Sequence, residues 1–377
     1  MTLFNNGDNY NIVGRCVAPT GCTGSQSEDA PATASSVSGV TVPPFTTCDN
    51  PVSIPLTGGP PTVAVRDDDV VICAPNSSPV IQCVVSTDGG KTFGGVISPR
   101  EASGISSAPV GVIDATLTFH VIYQHTDSNF GNLQLHAAHL LIGASSFNNT
   151  LNLGSPFDRG VDALAADLVD GGIYATITAA DPNNRNNALL QVLKSSDGGA
   201  SFGAPVAVGA VAAGGLRALT AKASSVFVVY GTNDSSNNTG SELGFLSTDG
   251  GASFTALGQQ FSANGTLGQQ TVEFLNGAEA PQSFSLSGVG SGFANQDAFY
   301  VRSDDSLVAG VQDASALHLK QNTASNPSSF SDIVISTDSG ISGSACAGND
   351  SYAVCAWPTS TGAPANSFVG FAARCHP

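Results

Sequence analysis

Basic residues are scarce in this chain. Its 377 residues include 12 Lys+Arg against 29 Asp+Glu, for a formal net charge of -17. Nothing here neutralises a phosphate backbone or an anionic membrane surface, so neither nucleic acid nor lipid is expected as a partner. No apolar run approaches the roughly 20 residues that cross a bilayer, so no membrane span is expected. The run Met1-Thr2-Leu3-Phe4-Asn5-Asn6 has neither the basic n-region nor the apolar h-region of a signal peptide. No long segment has helical periodicity. There is no C-x-x-C pair, and no cysteine pair stands beside histidines at zinc-finger spacing, which excludes metal knuckles. Glutamate is limited to Glu28, Glu101, Glu242, Glu273 and Glu279, and tryptophan to Trp357.

What is present is a long, apolar, cysteine-containing chain. With 41% hydrophobic and 11% charged residues it can bury a large core. An even count of eight cysteines in a Ser/Thr/Asn/Gly-rich chain points to disulfides, and so to an extracellular, cell-surface or virion-surface setting. Sequons begin at Asn76, Asn148, Asn233, Asn237, Asn264 and Asn349, about the number expected by chance from this composition. Residues 1–45 read as an extended N-terminal arm, their Ser/Thr/Ala/Gly/Pro stretch lacking any period, and residues 46–377 as one domain of short β-runs separated by turns.

Three segments are near copies: Ser86-Thr87-Asp88-Gly89-Gly90-Lys91-Thr92-Phe93, Ser195-Ser196-Asp197-Gly198-Gly199-Ala200-Ser201-Phe202 and Ser247-Thr248-Asp249-Gly250-Gly251-Ala252-Ser253-Phe254. Each follows one apolar run and precedes another, so a turn recurs at one point of a repeated β-unit. Phe93 and Phe202 are 109 residues apart, and Phe202 and Phe254 are 52 apart. Degraded copies, Gly143-Ala144-Ser145-Ser146-Phe147 and Asn326-Pro327-Ser328-Ser329-Phe330, extend the series, with an insertion at about 262–295. Units of about 50 residues parse as four strands; in the first these are Thr62–Arg66, Val70–Ala74, Val80–Val85 and Gly95–Ser98. Such a unit cannot bury both faces alone, and radial repetition solves that. The expected fold is all-β, a six-bladed propeller of four-stranded antiparallel blades. The last unit supplies only three strands, so Pro51–Leu56 is expected to close the ring, clasped by Cys48–Cys375. Cys73–Cys83 and Cys346–Cys355 would join neighbouring strands, and Cys16–Cys22 would close a loop in the arm.

The three segments resemble the Asp-box (BNR repeat) of sialidase-like β-propellers, a resemblance that covers about residues 48–377. It implies that Asp88, Asp197 and Asp249 close turns between strands three and four, and that Phe93, Phe202 and Phe254 pack between strands. A sialidase of that family needs three arginines on the substrate carboxylate, a Tyr–Glu pair and an acid/base Asp. Where its first arginine is expected, this chain has Ser53 in Ser53-Ile54-Pro55-Leu56, and no glutamate announces a tyrosine partner.

The parse puts the repeated turns and Arg66 and Arg302, each in a V-R-x-D-D turn, at one end of the blades. The opposite end collects Glu101, His125 and Asp127 with the candidate ligand-binding residues Arg100, Asp158, Arg159, Asp181, Arg185 and Arg217, and has Tyr123, Tyr230 and Trp357 at the ends of second strands. Aromatic platforms beside Arg/Asp hydrogen-bonders suit sugar rings. His120, His125, His136 and His139 crowd one hairpin, with His120 and His139 opposed if the turn centres near Asn129-Phe130. No third ligand accompanies that pair, so neither metal nor cofactor is expected. The expected function is a binding module for glycans or a surface protein, attached through its arm to a larger assembly. The alternatives are a glycoside hydrolase or lyase using carboxylates at that end, and a structural part of a surface appendage.

Overall fold

The computed structural model describes residues 12–13, 42–76, 78, 80–101, 104–126, 133–148, 150–154, 160–167, 170–180, 187–212, 217–222, 225–234, 239–264, 270–275, 282–286, 299–302, 306–312, 316–323, 326–338, 340–341, 343–360 and 369–377. Every regular element among them is a strand. The chain lays down antiparallel sheets one after another, with strand order following chain order. The first sheet holds Thr62–Arg66, Asp69–Pro75 and Ile81–Ser86, and the second Ile105–Ile113, Thr118–Thr126, Leu133–Leu141 and Leu151–Gly154. The third holds Gly160–Ala166, Ile173–Ala180, Asn187–Ser195 and Val206–Ala212, and the fourth Arg217–Lys222, Ser225–Asp234, Thr239–Ser247 and Thr255–Asn264. Phe299–Val301, Leu307–Gln312, Leu317–Thr323 and Asn326–Ser336 form the fifth. The sixth contains Ala345–Gly348, Ala353–Thr359 and Val369–His376, and the start of the domain completes it: Val52–Ile54 and Thr47–Cys48 both pair with Val369–His376.

The first strands of successive sheets pack on one another. Thr62–Arg66 lies on Ile105–Ile113, that strand on Gly160–Ala166, and that one in turn on Arg217–Lys222. Ala345–Gly348 packs on Thr62–Arg66, and Phe299–Val301 on Ala345–Gly348. Each apolar cluster fills the space between two neighbouring sheets, as Val70, Ile72 and Val84 do against Tyr352, Val354 and Ala372. This is a β-propeller arrangement. It explains why the second strands, Asp69–Pro75 and Ala353–Thr359, read as almost unbroken apolar runs: both of their faces are covered.

Two details depart from the sequence reading. The strand expected over Gly95–Ser98 is reduced to one bridge between Cys83 and Ile97, with N···O distances of 2.8 and 2.9 Å. Gly94-Gly95 before it and Pro99 after it leave little with which to extend a ladder. The segment Asn326–Phe330 is not a turn but the start of strand Asn326–Ser336, since it has no aspartate to close one. The insertion also carries a small sheet, in which Gln270–Leu275 pairs with Gln282–Leu286 and, in parallel, with Ile12–Val13.

The three repeated turns share one hydrogen-bond pattern, and it uses the Ser, Asp, second Gly and Ser/Thr positions of the motif. Ser86 Oγ donates to Asp88 Oδ1 (2.7 Å) and accepts from the Gly90 amide (2.9 Å), while Thr92 donates its amide (2.9 Å) and hydroxyl (2.6 Å) to the Asp88 carboxylate. The pattern repeats at Ser195, Asp197, Gly199 and Ser201, and at Ser247, Asp249, Gly251 and Ser253. Phe93, Phe202 and Phe254 pack into the clusters between their own sheet and the preceding one. The second glycine of each turn (φ +82 to +84) sits against that preceding sheet, where an added Cβ would meet Val354, His120 or Tyr174 at 2.7, 2.6 or 3.1 Å. The motif is therefore a joint between sheets as well as a turn.

These bonds imply an acid sensitivity. Desolvation works to raise Asp88, but the bonds from Thr92, Ser86 and Lys91 together outweigh it and hold the carboxyl at about 2. Bonds led by the Ser201 hydroxyl hold Asp197 at about 2, and those of Ser253 and Ser247 depress Asp249 likewise. Carboxyls depressed in the folded state contribute stability that is complete above the unfolded value of about 4 and is lost as pH falls toward 2. Urea denaturation between pH 5 and pH 2.5 is expected to show a smaller loss of stability in an Asp88→Asn/Asp197→Asn/Asp249→Asn variant than in the parent chain. Equal losses in the two proteins would contradict this.

The N-terminal segment before the sixth sheet is held by side chains. Phe45 is buried, exchanges backbone hydrogen bonds with the Gln321 amide (2.8 and 2.6 Å), and lies under the Arg302 guanidinium at 4.5 Å. Arg302 also donates to the carbonyls of Pro43 and Asp350, so it anchors the N-terminal segment to the body of the fold.

Candidate functional site

In the first, third and fourth sheets the repeated turns share one end with the turns between strands one and two. The opposite end carries the turns between strands two and three and the connections between sheets. At that end of the second sheet four side chains converge. Thr118–Thr126 and Leu133–Leu141 pair so that Tyr123 faces His136 and His125 faces Gln134. Strand alternation puts Tyr123 and His125 on one face, and the His125 and His136 rings stack with centroids 4.3 Å apart. Glu101, from the connection between the first and second sheets, reaches onto the same face. It accepts the Tyr123 hydroxyl and bonds His136 Nδ1 at 2.8 Å. His125 Nδ1 pairs with the Ser106 hydroxyl at 2.9 Å.

The network continues outward. His136 Nε2 lies 3.3 Å from Gln134 Oε1, which accepts from Asn152 Nδ2 at 2.7 Å, and Thr150 donates to the Arg100 carbonyl at 2.9 Å. Tyr123, His125 and His136 are buried, Glu101 is largely covered, and Arg100 and Asn152 are exposed. Burial works to raise Glu101, but the bonds from His136 and Tyr123 win and hold it below the usual carboxylate value. Burial, then Glu101, pushes Tyr123 far above the usual tyrosine value, so its hydroxyl keeps its proton at neutral pH.

No family model matches the chain, and no curated protein matches it. Solved structures do. A protein of unknown function from Dyadobacter fermentans has a TM-score of 0.53 at 14% identity, over 88% of this chain and 99% of that one. The Trypanosoma rangeli sialidase has a TM-score of 0.51 at 12% identity over 87% of this chain, which spans only 58% of the sialidase. An ulvan lyase bound to a GlcA–Rha3S saccharide has a TM-score of 0.51 at 11% identity, over 88% and 94% of the two chains. At these identities the likeness shows the fold: a sialidase-like β-propeller.

The structure treats the residues singled out from sequence unequally. Tyr123 is not a platform open to solvent but the buried partner of Glu101. No pattern in the sequence announces that pairing. Trp357 is also no platform: it is 2% exposed, stacks on Phe371, and packs against Val308, Leu317 and Leu319 of the fifth sheet. Its strand is covered on both faces to its end. Arg100 is exposed beside the cluster. Arg217 and Tyr230 oppose each other across the first two strands of the fourth sheet. Asp127, Asp158, Arg159, Asp181 and Arg185 lie outside the described residues, as does the Cys16–Cys22 pairing. The other three disulfides, Cys48–Cys375, Cys73–Cys83 and Cys346–Cys355, are formed.

His120 and His139 are opposed as expected, with ring centroids 6.0 Å apart. They serve elsewhere: His120 bonds Asp114 at 2.8 Å and seats Gly199 of a repeated turn, while His139 bonds Asn148. Burial pushes His120 below the ordinary histidine value despite Asp114.

Proposed function

We propose that this chain is a six-bladed, extracellular or surface-displayed propeller that recognises glycans at the end bearing Arg100, Asn152 and the Glu101–His136 cluster. On this reading the segment before the first sheet links it to a larger assembly. One observation carries the proposal: hydrogen-bonding groups run in series from buried Tyr123 through Glu101, His136 and Gln134 to exposed Asn152. Sugar hydroxyls need donors and acceptors already fixed in place, because each ordered side chain otherwise costs rotamer entropy on binding. This network supplies them on strands at an end whose connecting loops are free to differ from sheet to sheet. The repeated turns at the other end are closed by their own bonds.

A second reading, catalysis on a glycan, is favoured by the Tyr123–Glu101 contact, which brings a phenol and a carboxylate together. It is not the sialidase arrangement. Ser53 stands where the first carboxylate-binding arginine is expected, exposed on the edge strand Val52–Ile54. Turnover of a fluorogenic sialoside is expected to be absent; ordinary enzymatic rates that vanish in Tyr123→Phe would overturn that. A glycan array, run with a screen for hydrolysis and for the unsaturated products of lyases, separates binding from catalysis.

A further inference from the structure

We propose that Glu101, His125 and His136 form a binding site for a divalent transition-metal ion, Zn²⁺ by the chemistry of its donors. One ligand atom from each of the three lies within 4.8 Å of the other two, the one such group among the described residues. Zinc holds nitrogen and carboxylate oxygen at about 2.0–2.1 Å in a tetrahedron, so its ligands stand about 3.3 Å from one another. Glu101 Oε1 and His136 Nδ1 are already 2.8 Å apart, joined by a proton whose place an ion would take. The remaining adjustment is at most about 1.5 Å, within reach of side-chain rotation. Two imidazoles with one carboxylate favour zinc, nickel or copper over calcium or magnesium, which prefer all-oxygen shells.

The surroundings support each ligand. Ser106 bonds Nδ1 of His125 and fixes the orientation of its ring. Tyr123 donates to Glu101 and orients its carboxylate. Outer partners of this kind set the tautomer and rotamer of metal ligands. Both histidines stand on adjacent paired strands, so the backbone ladder fixes their spacing. Three protein ligands leave a fourth position for water or another oxygen donor. The proposal does not rest on glycan recognition, because metal uptake is read directly.

The test is titration of the tag-free, chelator-treated chain with Zn²⁺ by calorimetry, with Co²⁺ absorption as a second readout. Saturable binding at one equivalent is expected, with tetrahedral Co²⁺ bands. Glu101→Gln, His125→Gln and His136→Gln are each expected to weaken it at least tenfold, and Ser106→Ala by about tenfold through the outer partner. His139→Gln, on the other face of the same sheet, should bind as the parent does. If a buried-histidine variant fails to fold by circular dichroism, Glu101→Gln at the covered rim decides. Absence of Zn²⁺ and Co²⁺ binding below 100-fold molar excess, or binding unchanged in Glu101→Gln, would overturn the assignment.

Discussion

Trp357→Ala is expected to cost about 3–5 kcal/mol of folding stability, the range for removing a large aromatic from a packed core. The ring is 2% exposed and lies in the cluster that joins the fifth and sixth sheets, beside Phe45 and the Cys346–Cys355 bridge. Its removal loses apolar transfer energy and leaves a cavity, because the paired strands on either side cannot close over it. Trp357→Phe, which refills part of that volume beside Phe371, should cost less than half as much. Urea denaturation measures both. A loss below about 1 kcal/mol in Trp357→Ala would mean that the ring is free to meet a ligand, contrary to the packing described here.

The second large effect is loss of the clasp. Cys48 and Cys375 are register partners in the sixth sheet and are 327 residues apart in sequence. Reducing the entropy of so long a loop in the unfolded chain contributes about 6 kcal/mol in the chain-entropy model, before any strain in the folded state. Cys48→Ala/Cys375→Ala should lose most of that, keeping the backbone bonds of Thr46 to His376 (3.0 Å) and Asp49 to Arg374 (2.8 Å). Cys73→Ala/Cys83→Ala opens a loop of sequence separation 10 and should lose about 3 kcal/mol or less. Comparing the two double variants by thermal melting checks the ordering. If opening the short loop costs as much as opening the long one, closure of the chain is not what the Cys48–Cys375 bond contributes.

Much of the fold was legible because repeats constrain it. The Ser, Asp, Gly and Ser/Thr positions of the repeated turns each have a bond to make, and the pairing of Val52–Ile54 with the last strand followed from counting strands in the final unit. The candidate site was legible in part. The register that opposes His120 to His139 also opposes Tyr123 to His136, and alternation adds His125, so three of the four groups could be read from one hairpin. Glu101 could be placed at the same end of the blades but not against Tyr123 and His136, because it arrives on an irregular connection whose path depends on packing rather than on periodicity. Trp357 misled for a related reason. A tryptophan at the end of a second strand suits a sugar platform, but the fifth sheet covers one face of that strand and the first sheet the other, and no local pattern announces that cover.

The central claim is recognition of glycans at the end of the propeller that carries the Glu101 cluster. Glycan-array profiling of the parent chain beside Arg100→Ala/Asn152→Ala, at that end, and Lys91→Ala, on an exposed repeated turn at the other, tests it most directly. The account predicts a defined glycan class bound by the parent and by Lys91→Ala, and bound at least tenfold more weakly, about 1.4 kcal/mol, by Arg100→Ala/Asn152→Ala. No glycan bound by the parent, or binding lost in Lys91→Ala and kept in the double variant, would contradict it.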